Sequence, residues 1–303
     1  MDVAQLAILR ELAELGSITD VALATHKSPS AVSQQLKTLQ RQMGVALVER
    51  SGRGVRLTEA GRALAESSVR IATAMAEAQA TWDAFRGGAS GVVTVALFDS
   101  AAELLVPGLL TRMTTHPNIQ LVFENQDVSQ NEFAPLTADF DIVIAHRSDD
   151  QSPPDRAGLT ILELLREPLD VAVPLDHPLA SKSRVSVDEI MSEQWVGVPR
   201  DYPLDRVLMT MATRAGRAPV VAHRTAHLPL IENLVAAGHG VGLVPRYTSL
   251  ARSHGRFALL EVADVRAGRQ IEALLRPDRA ARLAVQSVLA ELAAEVLAVT
   301  AAA

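Results

Sequence analysis

Hydrogen-bonding side chains recur at helical spacing between Ser28 and Met43. At 100° per residue, the polar ones share one face, which holds hydroxyls, an amide and two cations: Ser30, Ser33, Gln34, Lys37 and Arg41. An ordinary surface helix exposes charges of both signs, whereas this face has no acidic residue. Such a set of side chains suits the phosphates and base edges of a nucleic acid.

The ends of this segment indicate a helix. Ser28 can cap the free amides of the first turn, and Pro29 fits there because its missing N–H would have had no partner. The apolar residues fall in a narrow arc on the opposite face: Val32, Leu36, Leu39 and Met43. Two amphipathic stretches come before, from Val3 to Gly16 and from Ser17 to Ala24. This arrangement predicts a helix-turn-helix, which places its second helix in the major groove of DNA.

A basic segment follows this helix. Leu47 and Val48 predict a strand, and the residues after them predict a flexible basic wing around Gly52 and Gly54. The whole chain has a net charge of −6, but residues 27–62 hold seven basic and two acidic residues. Positive charge is therefore concentrated where phosphates would bind. The predicted DNA-binding residues are Ser28, Ser30, Ser33, Gln34, Lys37, Arg41, Arg50, Arg53 and Arg56.

Residues 16–61 resemble the DNA-binding domain of the LysR-type transcriptional regulators. The matching segments are Gly16-Ser17-Ile18-Thr19, Ala22-Leu23, Ser28 to Leu36, Leu39, Gly44-Val45, Leu47, Glu49-Arg50, and Arg53 through Gly61. The resemblance implies sequence-specific binding of double-stranded DNA by a winged helix-turn-helix at residues 1–58. Val48 stands where the family usually has Phe. Gln34 stands where Arg is frequent, so an amide that can read adenine replaces a charge.

The composition excludes several classes of protein. At 303 residues the chain is long enough for two or three domains. It has no cysteine, which excludes disulfides, thiol catalysis and most structural zinc sites. We find no run of about 18 apolar residues that would predict a membrane span, and Asp2, Glu11 and Glu14 interrupt any signal-peptide pattern. We therefore expect a soluble cytoplasmic protein with no membrane partner.

Residues 59–86 predict one long helix. Its apolar seam recurs at alternating spacings of four and three, as in a coiled coil: Leu64, Ser68, Ile71, Met75, Ala78, Trp82 and Phe85. The helix could pack on its own domain, but Gly87, Gly88 and Gly91 indicate a hinge after it and favour a linker at residues 59–88. LysR-type regulators use the equivalent helix for dimerisation. A homodimer, alone or paired into a homotetramer, would read two half-sites of DNA.

Strands and helices alternate after the hinge. Apolar strands are predicted at Val92 to Leu97, Ile119 to Phe123 and Asp141 to Ala145, a pattern that favours a parallel sheet with helices on both faces. A second α/β unit follows, and a long Ala-rich helix from Asp278 to Val299 ends the chain.

This layout resembles the periplasmic-binding-protein-like effector domain of LysR-type regulators. Three segments carry the resemblance: Glu167-Pro168-Leu169, Asp176 to Ala180, and Val235 to Pro245. The expected fold is therefore α/β, with an N-terminal winged helix-turn-helix joined by a long linker helix to a two-lobed effector domain at residues 89–303. Lobe I would comprise residues 91–166 and 267–303, and lobe II residues 167–266.

Ligands of such domains bind in the crevice at the carboxyl ends of strands, where helices begin. That rule selects Phe98, Asp99, Ser100, Ala101, His146, Arg147, Arg200, Asp201 and His227. The hydroxyl of Ser100 could hold a carboxylate, or Ser100 or Asp99 could simply cap the helix. Arg147 and Arg200 could pair with an acidic effector or be solvated, whereas Asp99 and Asp201 could select an amine. These residues do not determine the charge of the effector.

The sequence shows no catalytic constellation. Gly238 to Gly242 suggests a nucleotide loop, but it follows a predicted helix and precedes a strand, the reverse of the dinucleotide fingerprint. It therefore predicts a helix end and a turn. The eight histidines lack metal-ligand spacing. We expect a non-enzymatic transcriptional regulator with no metal and no cofactor, modulated by a small-molecule effector bound between two lobes. The alternative is a solute-binding protein or small-molecule enzyme with an N-terminal helical appendage.

Overall fold

The N-terminal part of the molecule is a winged helix-turn-helix followed by one long helix, as predicted. The computed structural model describes residues 1–52, 54–149 and 158–302. The first elements are α1 (Val3–Leu15), α2 (Ile18–Ala24), α3 (Pro29–Met43), β1 (Val48–Ser51), β2 (Gly54–Leu57) and α4 (Glu59–Arg86). α1 and α3 end at Gly16 and Gly44, whose φ angles of 65° and 72° are left-handed and favour glycine.

The wing is held between α3 and α4. The side-chain oxygen of Gln40 accepts the backbone N–H groups of Leu47 at 2.8 Å and Val48 at 3.1 Å, which fixes the start of the wing on α3. β1 starts at Val48, one residue after the predicted Leu47. α4 passes close to the same backbone at Gly61. A Cβ on Gly61 would lie 2.0 Å from the carbonyl oxygen of Leu47, so this contact requires glycine.

The predicted seam of α4 divides into two parts. Leu64 and Ile71 pack against the core of the winged helix-turn-helix, and Ser68 is buried, so this half serves its own domain. In the other half, Met75, Trp82 and Phe85 are exposed, and the rings of Trp82 and Phe85 stack with centroids 5.6 Å apart. The prediction that the whole seam faces a partner is therefore wrong for the first half. There the apolar residues close the small N-terminal core.

The rest of the chain forms two α/β lobes. The first elements are β3 (Gly91–Leu97), α5 (Asp99–Met113), β4 (Ile119–Asn125), α6 (Phe133–Leu136), β5 (Ile142–Ser148) and β6 (Thr160–Pro174). They are followed by β7 (Arg184–Val185), α7 (Val187–Ile190), β8 (Gln194–Gly197), α8 (Pro203–Ala215), β9 (Val220–Arg224) and α9 (Leu228–Ala236). The last elements are β10 (Gly242–Pro245), α10 (Arg246–Ser253), β11 (Phe257–Val262), β12 (Gly268–Leu275), α11 (Pro277–Ala280) and α12 (Leu283–Ala302).

Each lobe has its own apolar core. The core of lobe I lies between β3, β5, β12, α5 and α12, and that of lobe II lies around the second half of β6 with β8, β10, β11, α8 and α9. β6 belongs to both lobes, because Thr160 to Pro168 pair with β12, whereas Leu169 to Pro174 pair with β10 and β11.

The main sheet is mixed and not parallel. Its strands run in the order β4-β3-β5-β12-β6-β11-β7, with β10 also paired to β6. β3 is parallel to β4 and β5, as predicted, but β12 is antiparallel to β5 and to β6. β12 enters lobe I after the chain has passed through lobe II, and the local alternation of strands and helices does not report such distant pairing.

The C-terminal helix also differs from its prediction. It is interrupted, because α11 ends at Ala280 and α12 begins at Leu283. Contrary to the sequence expectation, the stretch Leu283–Ala301 is long and apolar enough to cross a membrane, with a mean hydropathy of 1.6. Helices in the core of a folded protein meet the same criterion, and the following residues of α12 are buried in lobe I: Val285, Val288, Leu292 and Val296.

Candidate DNA-binding surface and effector crevice

The polar face of α3 is open to solvent. Ser28 caps the helix, because its hydroxyl accepts the N–H of Ala31 at 3.2 Å, and it also contacts the hydroxyl of Ser30 at 2.9 Å. Along the helix, the exposed residues are Ser30, Gln34, Lys37 and Arg41, and Ser33 is half-buried. Val32, Leu36 and Leu39 are buried on the other side. The helix thus presents a row of donors while its apolar face holds it on the domain.

The wing adds basic groups beside α3. Arg50 is exposed on β1. Arg56 lies opposite Glu49 in the β1–β2 hairpin, and its Nε is 2.9 Å from a carboxylate oxygen of Glu49. Arg56 is therefore partly neutralised before any phosphate arrives, although the pair is exposed and weak. Arg53, also predicted to bind DNA, lies outside the described residues.

A crevice lies between the two lobes where three helices begin. It is lined from lobe I by Phe98, Asp99, Ser100, Asp127, His146 and Arg269, and from lobe II by Val198, Tyr202, Pro203, Leu204, Ala226 and Leu228. Its volume is about 30 Å³. α5, α8 and α9 all begin at this crevice, and in the part of the chain that the structure describes, none has a capping bond from its cap side chain. Their free amides give the crevice a positive field.

A buried arginine lies at the base of the crevice. The Nη2 of Arg269 donates to the hydroxyl of Ser100 at 2.6 Å, and its Nε donates to Glu167 at 2.7 Å. The guanidinium also stacks over the ring of Phe98, 4.9 Å from its centroid. Arg269 and Glu167 are both buried. Burial raises the pKa of Glu167, and Arg269 opposes that shift. Ser100 is therefore held as part of a rigid polar cluster.

The remaining crevice residues supply aromatic and acidic groups. The imidazole of His146 is 4.5 Å from the ring of Phe98 and 4.9 Å from that of Phe133, both edge-on. Burial and the charge of Asp99 raise the pKa of Asp127. The hydroxyl of Tyr202 donates to the backbone oxygen of Asp127 at 3.4 Å, which links lobe II to lobe I. The crevice combines acidic groups with a positive helix field.

The structure places some predicted effector residues elsewhere. Phe98, not Asp99 or Ser100, is the cap residue of α5, because both of these already lie inside the helix. Ala101 is buried in the core of lobe I and does not line the crevice. His227 is the residue directly before α9, at the rim, and its side chain is exposed.

Arg147, Arg200 and Asp201 also lie outside the crevice lining. β5 continues to Ser148, so Arg147 lies inside the strand and points to the opposite face from His146. There it approaches Glu163 and Glu272, each at 3.5 Å. Arg200 is exposed in the turn before α8. Asp201 has a positive φ of 69°, and its carboxylate is solvent-exposed.

The sequence did not point to Arg269, the central cation of the crevice. One pattern could have found it: Arg269 shares a strand face with Ile271, Ala273 and Leu275, which are all fully buried. An arginine among buried apolar residues needs a buried acidic partner, because an unpaired buried charge is costly. Asp127 and Tyr202 were missed because neither lies at the end of a predicted strand.

The sequence patterns of two protein families match this arrangement. The bacterial regulatory helix-turn-helix protein, lysR family, matches residues 3–62, and the LysR substrate binding domain matches residues 86–297. The chain belongs to the LysR family of transcriptional regulators. It is therefore a DNA-binding regulator modulated by an effector and not an enzyme, and the alternative of a solute-binding protein or enzyme is set aside.

Two named transcriptional regulators match most of the chain. The transcriptional dual regulator GltC of Bacillus subtilis (strain 168) is 28% identical over 86% of this chain and 85% of its own. The regulator TtuA of Agrobacterium vitis is 33% identical over 73% of this chain and 72% of its own.

Solved structures of the family share the fold over the full length. A full-length OxyR variant from Pseudomonas aeruginosa is 18% identical and superposes with a TM-score of 0.66, over 98% of this chain and 94% of that one. Full-length CbnR in complex with its target DNA is 21% identical, with a TM-score of 0.54 over 98% of this chain and 100% of that one.

Proposed function

We propose that this LysR-family regulator acts as a homodimer in which two α3 helices read two half-sites of an operator. The proposal that α3 reads DNA rests on its exposed polar face, which has no acidic residue. The buried apolar residues on the other side of α3 hold this face outward. Ser30, Ser33, Gln34 and Lys37 would contact base edges and supply specificity. The basic wing would contact the phosphate backbone and supply affinity that falls with salt. As a DNA-binding protein of a bacterial family, it would act in the cytoplasm.

The exposed half of α4 is the proposed dimerisation surface. Met75, Trp82 and Phe85 are 53%, 53% and 81% exposed, which is unusual for large apolar side chains on one helix. Pairing two α4 helices along this half would bury them and place the two winged helix-turn-helix domains on the same side of the dimer. Two recognition helices would then face neighbouring major grooves.

We propose that the effector binds in the crevice between the lobes. The cavity of about 30 Å³ holds about one water molecule. The lobes must therefore separate to admit a ligand. Because β6 runs through both lobes, their movement would bend this strand and shift lobe I against lobe II. An effector that binds one arrangement of the lobes more tightly shifts the protein toward that arrangement. It changes DNA affinity only if the two arrangements differ in their affinity for DNA.

The first experiment is a titration of the purified protein with the DNA upstream of its own gene at two salt concentrations. LysR-type regulators often bind near their own promoters, and we expect tight binding that weakens with salt. Selection from a random duplex library extends the search to operators elsewhere. Failure to bind any DNA at low salt would contradict the proposed function.

Two variants separate specificity from affinity in the same titration. Gln34→Ala should reduce discrimination at one or two base pairs, by about 1–3 kcal/mol for a bidentate contact. Arg50→Ala should weaken all sequences alike and lower the salt slope by about one unit. Arg184→Ala, an exposed arginine in lobe II, is the matched control. An unchanged site preference in Gln34→Ala would remove this residue from base recognition.

A further inference from the structure

A charged joint connects the DNA-binding domain to lobe I within one chain. Arg276 follows the last residue of β12, and its guanidinium donates to both carboxylate oxygens of Glu11, at 2.7 and 3.0 Å. It also contacts Glu14, one turn further along α1. A second pair joins the same surfaces, since Arg10 of α1 donates to Asp278 at 2.8 Å. α11 packs beside them against α4. We call this set the α1–α11 joint.

The α1–α11 joint fixes the orientation of α1 against lobe I. The side chain of Arg276 is only 4% exposed, and that of Glu11 is 11% exposed. A bidentate arginine–carboxylate pair has a fixed planar geometry, so it holds two surfaces at one angle. Buried ion pairs add little net stability because both charges lose water, but they can select one arrangement among several. Losing the pair would therefore free the angle between the domains more than it would unfold either of them.

β12 connects this joint to the effector crevice. Arg269 near its start is held by Ser100 and Glu167, and Arg276 directly after its end is held by α1. The two arginines are seven positions apart, a distance of about 24 Å along an extended chain. β12 is hydrogen-bonded on both sides, to β5 and to β6, and it is buried along its length. It cannot bend independently of the sheet, so the α1–α11 joint is anchored to the central sheet of lobe I.

We propose that Arg276 is a positioning residue for DNA recognition: it fixes the angle of the DNA-binding domain on lobe I and so sets the spacing of the two half-sites that the dimer accepts. The proposal rests on the proposed homodimer. With the α1–α11 joint intact, the two recognition helices are held at one separation. With the contacts of Arg276 broken, the winged helix-turn-helix and α4, which share one core, are held on lobe I only by the Arg10–Asp278 pair and the packing of α11 against α4. This unit can then turn against lobe I, so the two paired α4 helices can cross at other angles and meet half-sites at other separations.

The test is selection of bound duplexes from a random DNA library by full-length protein, followed by affinity measurements on the selected sites. The wild-type protein should enrich paired half-sites at one spacing. Arg276→Met should enrich the same half-site over a broad range of spacings. Its preference for the original spacing over one changed by half a helical turn, about 5 base pairs, should fall about tenfold. A purely structural role would instead lower the affinity for a single half-site, which we expect to stay unchanged.

A second variant removes the contacts of Arg276 from the side of α1. Glu11→Gln combined with Glu14→Gln leaves Arg276 in place and should broaden the spacing in the same way, so the test stands even if Arg276→Met folds poorly. Adding Arg276→Met to this pair should broaden it no further, because all three residues act in one contact. Arg276→Lys, which keeps the charge but loses the fork, should be intermediate. Arg184→Met is the matched control and should keep the wild-type spacing.

The outcomes distinguish a failure of the role proposed for Arg276 from a failure of the proposed homodimer. If wild-type protein selects single half-sites with no preferred spacing, the proposed homodimer fails. If wild-type protein selects one spacing and both joint variants keep it with the same selectivity, the role of Arg276 is refuted. A loss of half-site affinity in both joint variants, at unchanged spacing, would assign the cluster to folding and would also overturn the proposal.

Discussion

Replacing Arg269 with methionine should destabilise lobe I strongly and in a pH-dependent way. Met has a similar length and no charge, so Arg269→Met leaves Glu167 buried with no opposing guanidinium at 2.7 Å. Glu167 has no exposed surface, and within the described residues its other oxygen has no hydrogen-bond partner. Breaking a buried pair by removing one member costs about 3–5 kcal/mol.

The chemistry of Glu167 sets the size of the loss. Burial already raises the pKa of this carboxyl above its ordinary value of 4.5, and removing Arg269 raises the pKa further. The folded variant then keeps Glu167 neutral by taking up a proton. At pH 7, protonating a carboxyl of ordinary pKa costs about 3.4 kcal/mol, at about 1.4 kcal/mol per pH unit. The folded state holds a proton that the unfolded state releases, so stability falls as pH rises. At pH 5 the cost should be only about 0.7 kcal/mol.

Urea unfolding at pH 7 and pH 5, followed by circular dichroism, measures this difference against the wild type. We expect the loss in Arg269→Met to shrink by about 2–3 kcal/mol at the lower pH. Arg112→Met is the matched control, because Arg112 pairs with Glu295 in the same lobe while 34% exposed, and should cost under about 1 kcal/mol. The double variant Arg269→Met with Glu167→Met should recover most of the loss. A loss equal at both pH values, or a double variant no more stable than the single one, would refute the reasoning.

The other predictions concern the wing, α7 and α4. Gly61→Ala puts a methyl group 2.0 Å from the carbonyl oxygen of Leu47, and should destabilise the DNA-binding domain by about 1–3 kcal/mol; an unchanged melting temperature would contradict the close approach. The contact with Lys182 lowers the pKa of Glu189 to about 2, so its stabilisation is complete above pH 4.5 and is lost as pH falls through about 2; an NMR titration midpoint at 4.5 would disprove this. Trp82→Glu should give monomers in sedimentation, and a persistent dimer would exclude the exposed half of α4.

The N-terminal fold could be predicted because its determinants are local. Ser28 and Pro29 start α3, Gly44 ends it, and the apolar stripe gives its buried face, all within 17 consecutive residues. The same local rules predicted the alternation of strands and helices after the hinge and the long C-terminal helix. They missed α6 and α10. They also could not show that Ile71 of α4 packs against its own domain, since a seam residue has the same pattern in either setting.

The crevice was less accessible to sequence reasoning because its parts come from distant positions. Phe98, Asp99, Ser100 and His146 follow predicted strands and do line it. Arg269 reaches the crevice only because β12 inserts between β5 and β6, a pairing across more than a hundred residues. No local pattern reports which strands will be neighbours, so the principal cation of the crevice was left out.

The α1–α11 joint has a consequence for domain exchange, both in evolution and in the construction of biosensors. Its acids come from the first helix of the chain, whereas its arginine comes from the far end of the effector domain. A hybrid that takes its first 86 residues from a relative without acids at positions 11 and 14 would leave the buried guanidinium of Arg276 without its acidic partners. Recombination between family members should therefore succeed more often when the acids at positions 11 and 14 are inherited together with Arg276, and Arg10 together with Asp278.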